Sequence, residues 1–141
     1  MGRTEIGLLG GIVVALAIAG AAATWTVVRG ATGTPDLAVD IRYSQFEPSA
    51  LSVPVGVPVT IVLRNRDMID HEWILGDDAV HERHRTGTEP VHGARPTEVT
   101  IPAGETRRTT IVLDEAGTFR YICHLPGHEA YGMVGALVAG S

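Results

Sequence analysis

Hydrophobic and polar positions along this chain of 141 residues follow two rules in succession. From Ile6 to Val28 there is no alternation at all: the run is uncharged, and at about 1.5 Å per residue it is long enough to cross a bilayer of roughly 30 Å. A segment apolar on every side has no solvent face, so it reads as a membrane helix or an export signal rather than as a core helix. Trp25 stands at the interfacial aromatic position near its outer end. Arg3 with Glu5 before it and Arg29 after it orient it only weakly. Ala21-Ala22-Ala23 offers a small-residue cleavage site, while the length of the run favours an uncleaved anchor; both readings export the remainder of the chain. Residues 1–5 are then a flank, 6–28 the membrane or signal segment, 29–35 a flexible tether, and 36–141 the folded domain.

After Asp36 the pattern switches to a period of two. Leu37, Val39, Ile41 and Tyr43 alternate with small or charged residues, as on a half-buried strand, and Phe46 enters the core ahead of Pro48. Leu51 to Pro58, with prolines inside it, predicts an edge strand and a turn. Val59 to Asn65 predicts a strand with Val59, Ile61 and Leu63 on one face; a polar loop then runs to Asp70, and His71 to Leu75 resumes extended structure. Further strands are expected over 97–101, 107–113, 118–122 and 132–138, with turns at Pro102-Ala103-Gly104 and Asp114-Glu115-Ala116-Gly117. Seven or eight short strands at this spacing predict an all-β sandwich. Only residues 76–96 break the rhythm, as an insertion that holds His81, His84 and His92.

The candidate chemistry lies on the last connection. Cys123, the only cysteine, is followed by His128 and Met133 at intervals of five, which share no helical face and converge only on a loop between strands. Pro126-Gly127 supplies the turn that brings His128 back toward Cys123. Thiolate, imidazole and thioether together are a copper-ligand set suited to cycling between Cu(I) and Cu(II), still short of one imidazole. A lone cysteine in an exported chain is otherwise an intermolecular partner or a buried thiol.

The segment Cys123-x4-His128-x4-Met133, with Pro-Gly before the histidine and Gly132 before the methionine, resembles the C-terminal ligand loop of the cupredoxins, the type 1 copper proteins. The likeness is to single-domain members of the rusticyanin, sulfocyanin and plastocyanin kind and extends over roughly residues 36–138. It implies Greek-key connection of the sandwich and one type 1 copper held by His71, Cys123, His128 and axial Met133. His71, at a loop-to-strand junction half a domain upstream, matches the family's first histidine ligand. The resemblance also implies a one-electron carrier whose His128 edge, ringed by Leu125, Pro126 and Ala130, meets a redox partner protein. Multicopper oxidases have a similar loop with histidines on both sides of the cysteine. Here Ile122 precedes Cys123 and no His-x-His pair occurs, so trinuclear cluster ligands are lacking and no enzymatic activity is expected. His124 reads most simply as an outward neighbour of the ligand.

Composition narrows the partners. A net charge of −5, with eleven basic residues (all Arg) among sixteen acids, argues against nucleic acid. His81 and His84 share a helical face able to bind a second metal, but a short solvated helix and loop packed on the sandwich is the simpler reading of the insertion. Glu72 occupies a position where some relatives carry a loop-tying Asn or Ser. The expected protein is an extracytoplasmic, membrane-tethered electron carrier, the alternative being copper delivery or buffering at the cell surface.

Overall fold

The computed structural model describes residues 28–29, 34–88 and 95–140. Ten strands and one helix occur among them: β1 Val28–Arg29, β2 Pro35–Arg42, β3 Gln45–Glu47, β4 Ala50–Pro54, β5 Val59–Asn65, β6 His71–Gly76, α1 Asp78–Thr86, β7 Glu98–Ile101, β8 Thr106–Ile111, β9 Gly117–Ile122 and β10 Val134–Gly140. One sheet runs β1-β2-β5-β8 with β3 paired to β2; the other runs β4-β10-β9-β6-β7. β2·β5 and β4·β10 pair in parallel and the other neighbours antiparallel. The chain therefore crosses repeatedly between layers, and the expected sandwich is present.

Alternation explains which side chains meet between the layers. Val39 and Ile41 of β2, Ile61 and Leu63 of β5, Trp73 of β6, Tyr121 of β9 and Leu137 of β10 are all fully buried in one core. β4 sits at the edge of its sheet, as Pro54 at its end requires. β5 lies between β2 and β8, and Thr60 and Val62 on its second face are buried as well, so burial there is less one-sided than the alternation predicts.

At the N-terminus, Val28–Arg29 pairs with Asp36 and Pro35, inside the stretch read from the sequence as segment end and tether. Residues 6–27, which carry the expected membrane helix, lie outside the described residues. Among the described residues no helix is long and apolar enough to cross a membrane.

The insertion forms α1, started by Asp77, whose side chain accepts from Val80 N, and ended by Gly87 in the left-handed region at φ 65°. Gly76 is required where α1 meets β6, since a Cβ there would fall 2.6 Å from Val80 Cβ. The helix packs on the sandwich with its outer face solvated, as expected, and it turns His81 and His84, three residues apart and so on one face, into the protein, where both are buried.

Asn65, buried at the end of β5, fastens the loop that precedes His71. Its Nδ2 donates to Ile69 O at 2.7 Å and to Ile101 O and Pro102 O at 3.0 Å, while its Oδ1 accepts from Asp67 N at 2.9 Å. Asn65→Ala strands buried backbone groups, and a destabilisation of about 2–3 kcal/mol is expected. Urea unfolding of the copper-free domain checks this; an unchanged midpoint would show that the loop is held by other contacts.

Candidate metal centre

The sheet register brings the donors together. Ile74 of β6 pairs with Ile122 of β9, and the two strands are antiparallel, so Cys123, just past the end of β9, lies toward the His71 end of β6. The connection from Cys123 to Met133 then folds on its own backbone: His128 N donates to Leu125 O at 3.0 Å, Tyr131 N to Gly127 O at 3.1 Å and Met133 N to His128 O at 3.0 Å. Cys123 N donates to Met133 O at 3.2 Å and closes the loop. Gly127 and Gly132 take φ of 85° and 89°, the conformation that reverses the chain around His128 and is strained for any residue with a Cβ.

One ligand atom from each of His71, Cys123 and His128 lies within 4.8 Å of the others. His128 Nδ1 is 3.2 Å from Cys123 Sγ and 3.3 Å from His71 Nδ1, so the inward donors are Sγ and two Nδ1 atoms. Cys123 and His71 are fully buried, and His128 reaches the surface. Met133, the fourth donor expected from the sequence, is fully buried with its backbone tied to both Cys123 and His128.

The surroundings fit a cation. Burial pushes the Cys123 thiol up, and N–H groups of Glu72 and Leu125 pull it back; Glu72 N stands 3.3 Å from Sγ. Burial, helped by the adjacent His71, lowers the His128 imidazole below its ordinary value, which keeps it in the neutral form a metal needs. A soft thiolate with two neutral imidazoles suits copper better than any hard cation. Glu72 thus serves through its backbone, and Asn65 ties the loop that precedes His71.

Asp67 was missed in the sequence. Its Oδ2 lies 2.9 Å from His71 Nε2, and its carboxylate also accepts from Tyr43 N and Ser44 N. Hydrogen bonds from those backbone groups and from His71 outweigh burial and lower its pKa. The carboxylate fixes the His71 tautomer, leaving Nδ1 as the ligand nitrogen. The signal was an acid four residues before the histidine. Asp67→Asn is expected to weaken copper binding about 10–100-fold, checked by competition with a chelator. An unchanged affinity would show that the carboxylate does not govern the ligand.

The model of the cupredoxin-like domain matches residues 11–139. This chain belongs to the cupredoxin-like family. Like the fold, the His2Cys group at its loop end is what a single type 1 copper site requires. The copper-resistant cuproprotein CopI of Rubrivivax gelatinosus is 32% identical over 97 residues, an alignment covering 67% of this chain and 59% of that protein. CopI of Pseudomonas aeruginosa is 28% identical over 124 residues, covering 65% and 68%. Among solved structures, auracyanin B superposes with a TM-score of 0.65 at 25% identity, over 82% of this chain and 94% of its own. Auracyanin A, a "blue" copper protein from Chloroflexus aurantiacus, gives 0.61 at 26%, over 77% and 100%.

The remaining histidines do not join this copper-binding group. His92 lies outside the described residues. His124, expected to face outward, is turned inward with only 4% of its side chain exposed, because α1 covers it: His81 Nδ1 lies 3.0 Å from His124 Nε2. Burial holds His124 down to about 4, with neighbouring His81 adding to the effect, and burial likewise lowers His81. The unfolded chain protonates these rings near the ordinary value of 6.5 and the folded chain only further down, so acid favours unfolding between those limits. The copper-free domain should be at full stability above about pH 6.5 and lose it as pH falls toward 4, read as a falling urea midpoint. A flat profile across that window would mean that the rings are not sealed in.

Proposed function

We propose that this cupredoxin carries single electrons at the outer side of a membrane, with His71, Cys123, His128 and Met133 as the ligands of one type 1 copper. The observation that carries this reading is the gathering of three donor atoms within 4.8 Å on strand ends and a self-bonded loop. Bound copper supplies the Cu(I)/Cu(II) couple. The protein's part is to keep the donors in place in both oxidation states: Asp67 holds His71, the Glu72 and Leu125 N–H groups hold the Cys123 sulfur, and the loop's backbone bonds hold His128. Cys123 gives up its proton on loading, so uptake should weaken in acid.

A groove of about 580 Å³ lined by Ile69, Asp70, Leu125, Pro126 and His128 opens beside the ligand that reaches the surface, and suits the docking of a redox partner protein. Residues 6–28 would tether the carrier as a single-pass anchor, or export it if cleaved. Neither catalysis nor nucleic-acid binding forms part of this role. Support for electron transfer comes from the likeness to auracyanin A, a "blue" copper protein.

The second reading, copper binding for resistance, is favoured by the two relatives named copper-resistant cuproproteins. Voltammetry of the copper-loaded protein separates them. A carrier gives a reversible one-electron wave and surrenders copper slowly to a Cu(I) chelator. Rapid surrender without a reversible wave would replace the carrier by a delivery protein.

A further inference from the structure

A second cluster of imidazoles, His81, His84 and His124, lies between α1 and the loop, apart from the thiolate group. His81 Nε2 lies 3.2 Å from Arg120 O, which only accepts, so the single proton of this neutral ring belongs on Nε2 and Nδ1 carries a lone pair. That lone pair faces His124 Nε2 at 3.0 Å. On the other side of the His124 ring, Nδ1 faces Glu129 Oε2 at 3.5 Å, a carboxylate fixed by Arg85 at 2.7 Å. A cation held between His81 Nδ1 and His124 Nε2 would leave the His124 proton on Nδ1, toward Glu129.

We propose that His81 Nδ1 and His124 Nε2 are ligands of a second transition-metal site, separate from the thiolate site and based on imidazole. Nitrogen–metal bonds of about 2.0–2.1 Å allow two nitrogens this close to share one ion. The spacing also matches that of the thiolate group, where neighbouring donors are 3.2 and 3.3 Å apart. His81 carries the outer hydrogen bond typical of a metal-binding histidine, to a backbone carbonyl, and the outer nitrogen of His124 faces a carboxylate. His84 shares the pattern, with Nδ1 2.9 Å from Val80 O and its ring stacked on His124 at 5.3 Å between centroids. A cavity of about 390 Å³, lined in part by His84, His124 and Glu129, gives an ion a way in and room for water ligands. Neutral nitrogen donors suit Cu(II) and Zn(II), Cu(II) binding more tightly by the Irving–Williams order.

The test is titration of the full chain with Cu(II), then metal analysis, visible absorption and electron paramagnetic resonance. Two coppers per chain are expected, the second adding a signal with nitrogen couplings and no further thiolate band. His81→Gln should bind one copper fewer with the thiolate band unchanged. Should His81→Gln fail to fold, Glu129→Gln takes its place and is expected to weaken only the second copper, about 10–100-fold. Saturation at one copper with the full thiolate band, or variants that bind the second copper as the wild type does, would overturn the site. Absence of the thiolate band with one copper still lost in His81→Gln would instead sink the electron-carrier reading and leave this site standing.

Discussion

Cys123→Ser abolishes the thiolate-to-copper charge-transfer band and weakens Cu(I) binding by more than the roughly 100-fold that loss of an outer-shell contact costs. The band belongs to sulfur, and a hydroxyl in its place neither ionises at neutral pH nor offers a soft donor. Folding should survive, since serine has nearly the same shape and Glu72 N, now 3.3 Å from Sγ, can donate to the new oxygen. The residual cost is that of a hydroxyl placed in the core cluster, about 1–3 kcal/mol. Visible absorption of the copper-loaded variant beside urea unfolding of its copper-free form separates the two effects. A variant that keeps the band would remove Cys123 from the site.

Gly135→Ala should be the most damaging single methyl in the domain outside the site. A Cβ at Gly135 would fall 2.1 Å from two ring carbons of Tyr121. That ring has little freedom to withdraw: it is fully buried, its hydroxyl donates to Pro48 O at 2.8 Å, and it packs edge-on against Phe46 with centroids 5.2 Å apart. Overpacking of this kind costs about 1–3 kcal/mol, and here at least about 3 is expected because both the ring and the β9–β10 ladder must shift. Thermal unfolding should show a fall in Tm of about 10 °C or more. Combining the change with Tyr121→Leu should recover part of the loss, and strict additivity would mean that the ring is not what the methyl strikes.

Much of the sandwich was legible because strands buried on one face alternate. Leu37, Val39 and Ile41 announce β2, and the run from Val59 to Asn65 coincides with β5. The two- and three-residue strands β1 and β3 were not legible, since so few residues carry no period. Of the expected ligands, Cys123, His128 and Met133 could be grouped from their spacing because one loop bears all three, and the structure gathers the first two with His71, which needed the family resemblance to be placed. Asp67 on His71 and Glu72 N on Cys123 depend on where two loops meet, which no local pattern encodes. The same holds for His124: its inward turn depends on α1, 43 positions earlier in the chain at His81, docking across it.

The most direct measurement is anomalous diffraction at the copper edge from crystals of the loaded protein. The expected result is a peak within bonding distance of His71 Nδ1, Cys123 Sγ and His128 Nδ1, with the His71 Nε2 to Asp67 contact of 2.9 Å retained. Fully loaded, redox-competent protein with no peak among those three atoms would contradict the assignment of the centre.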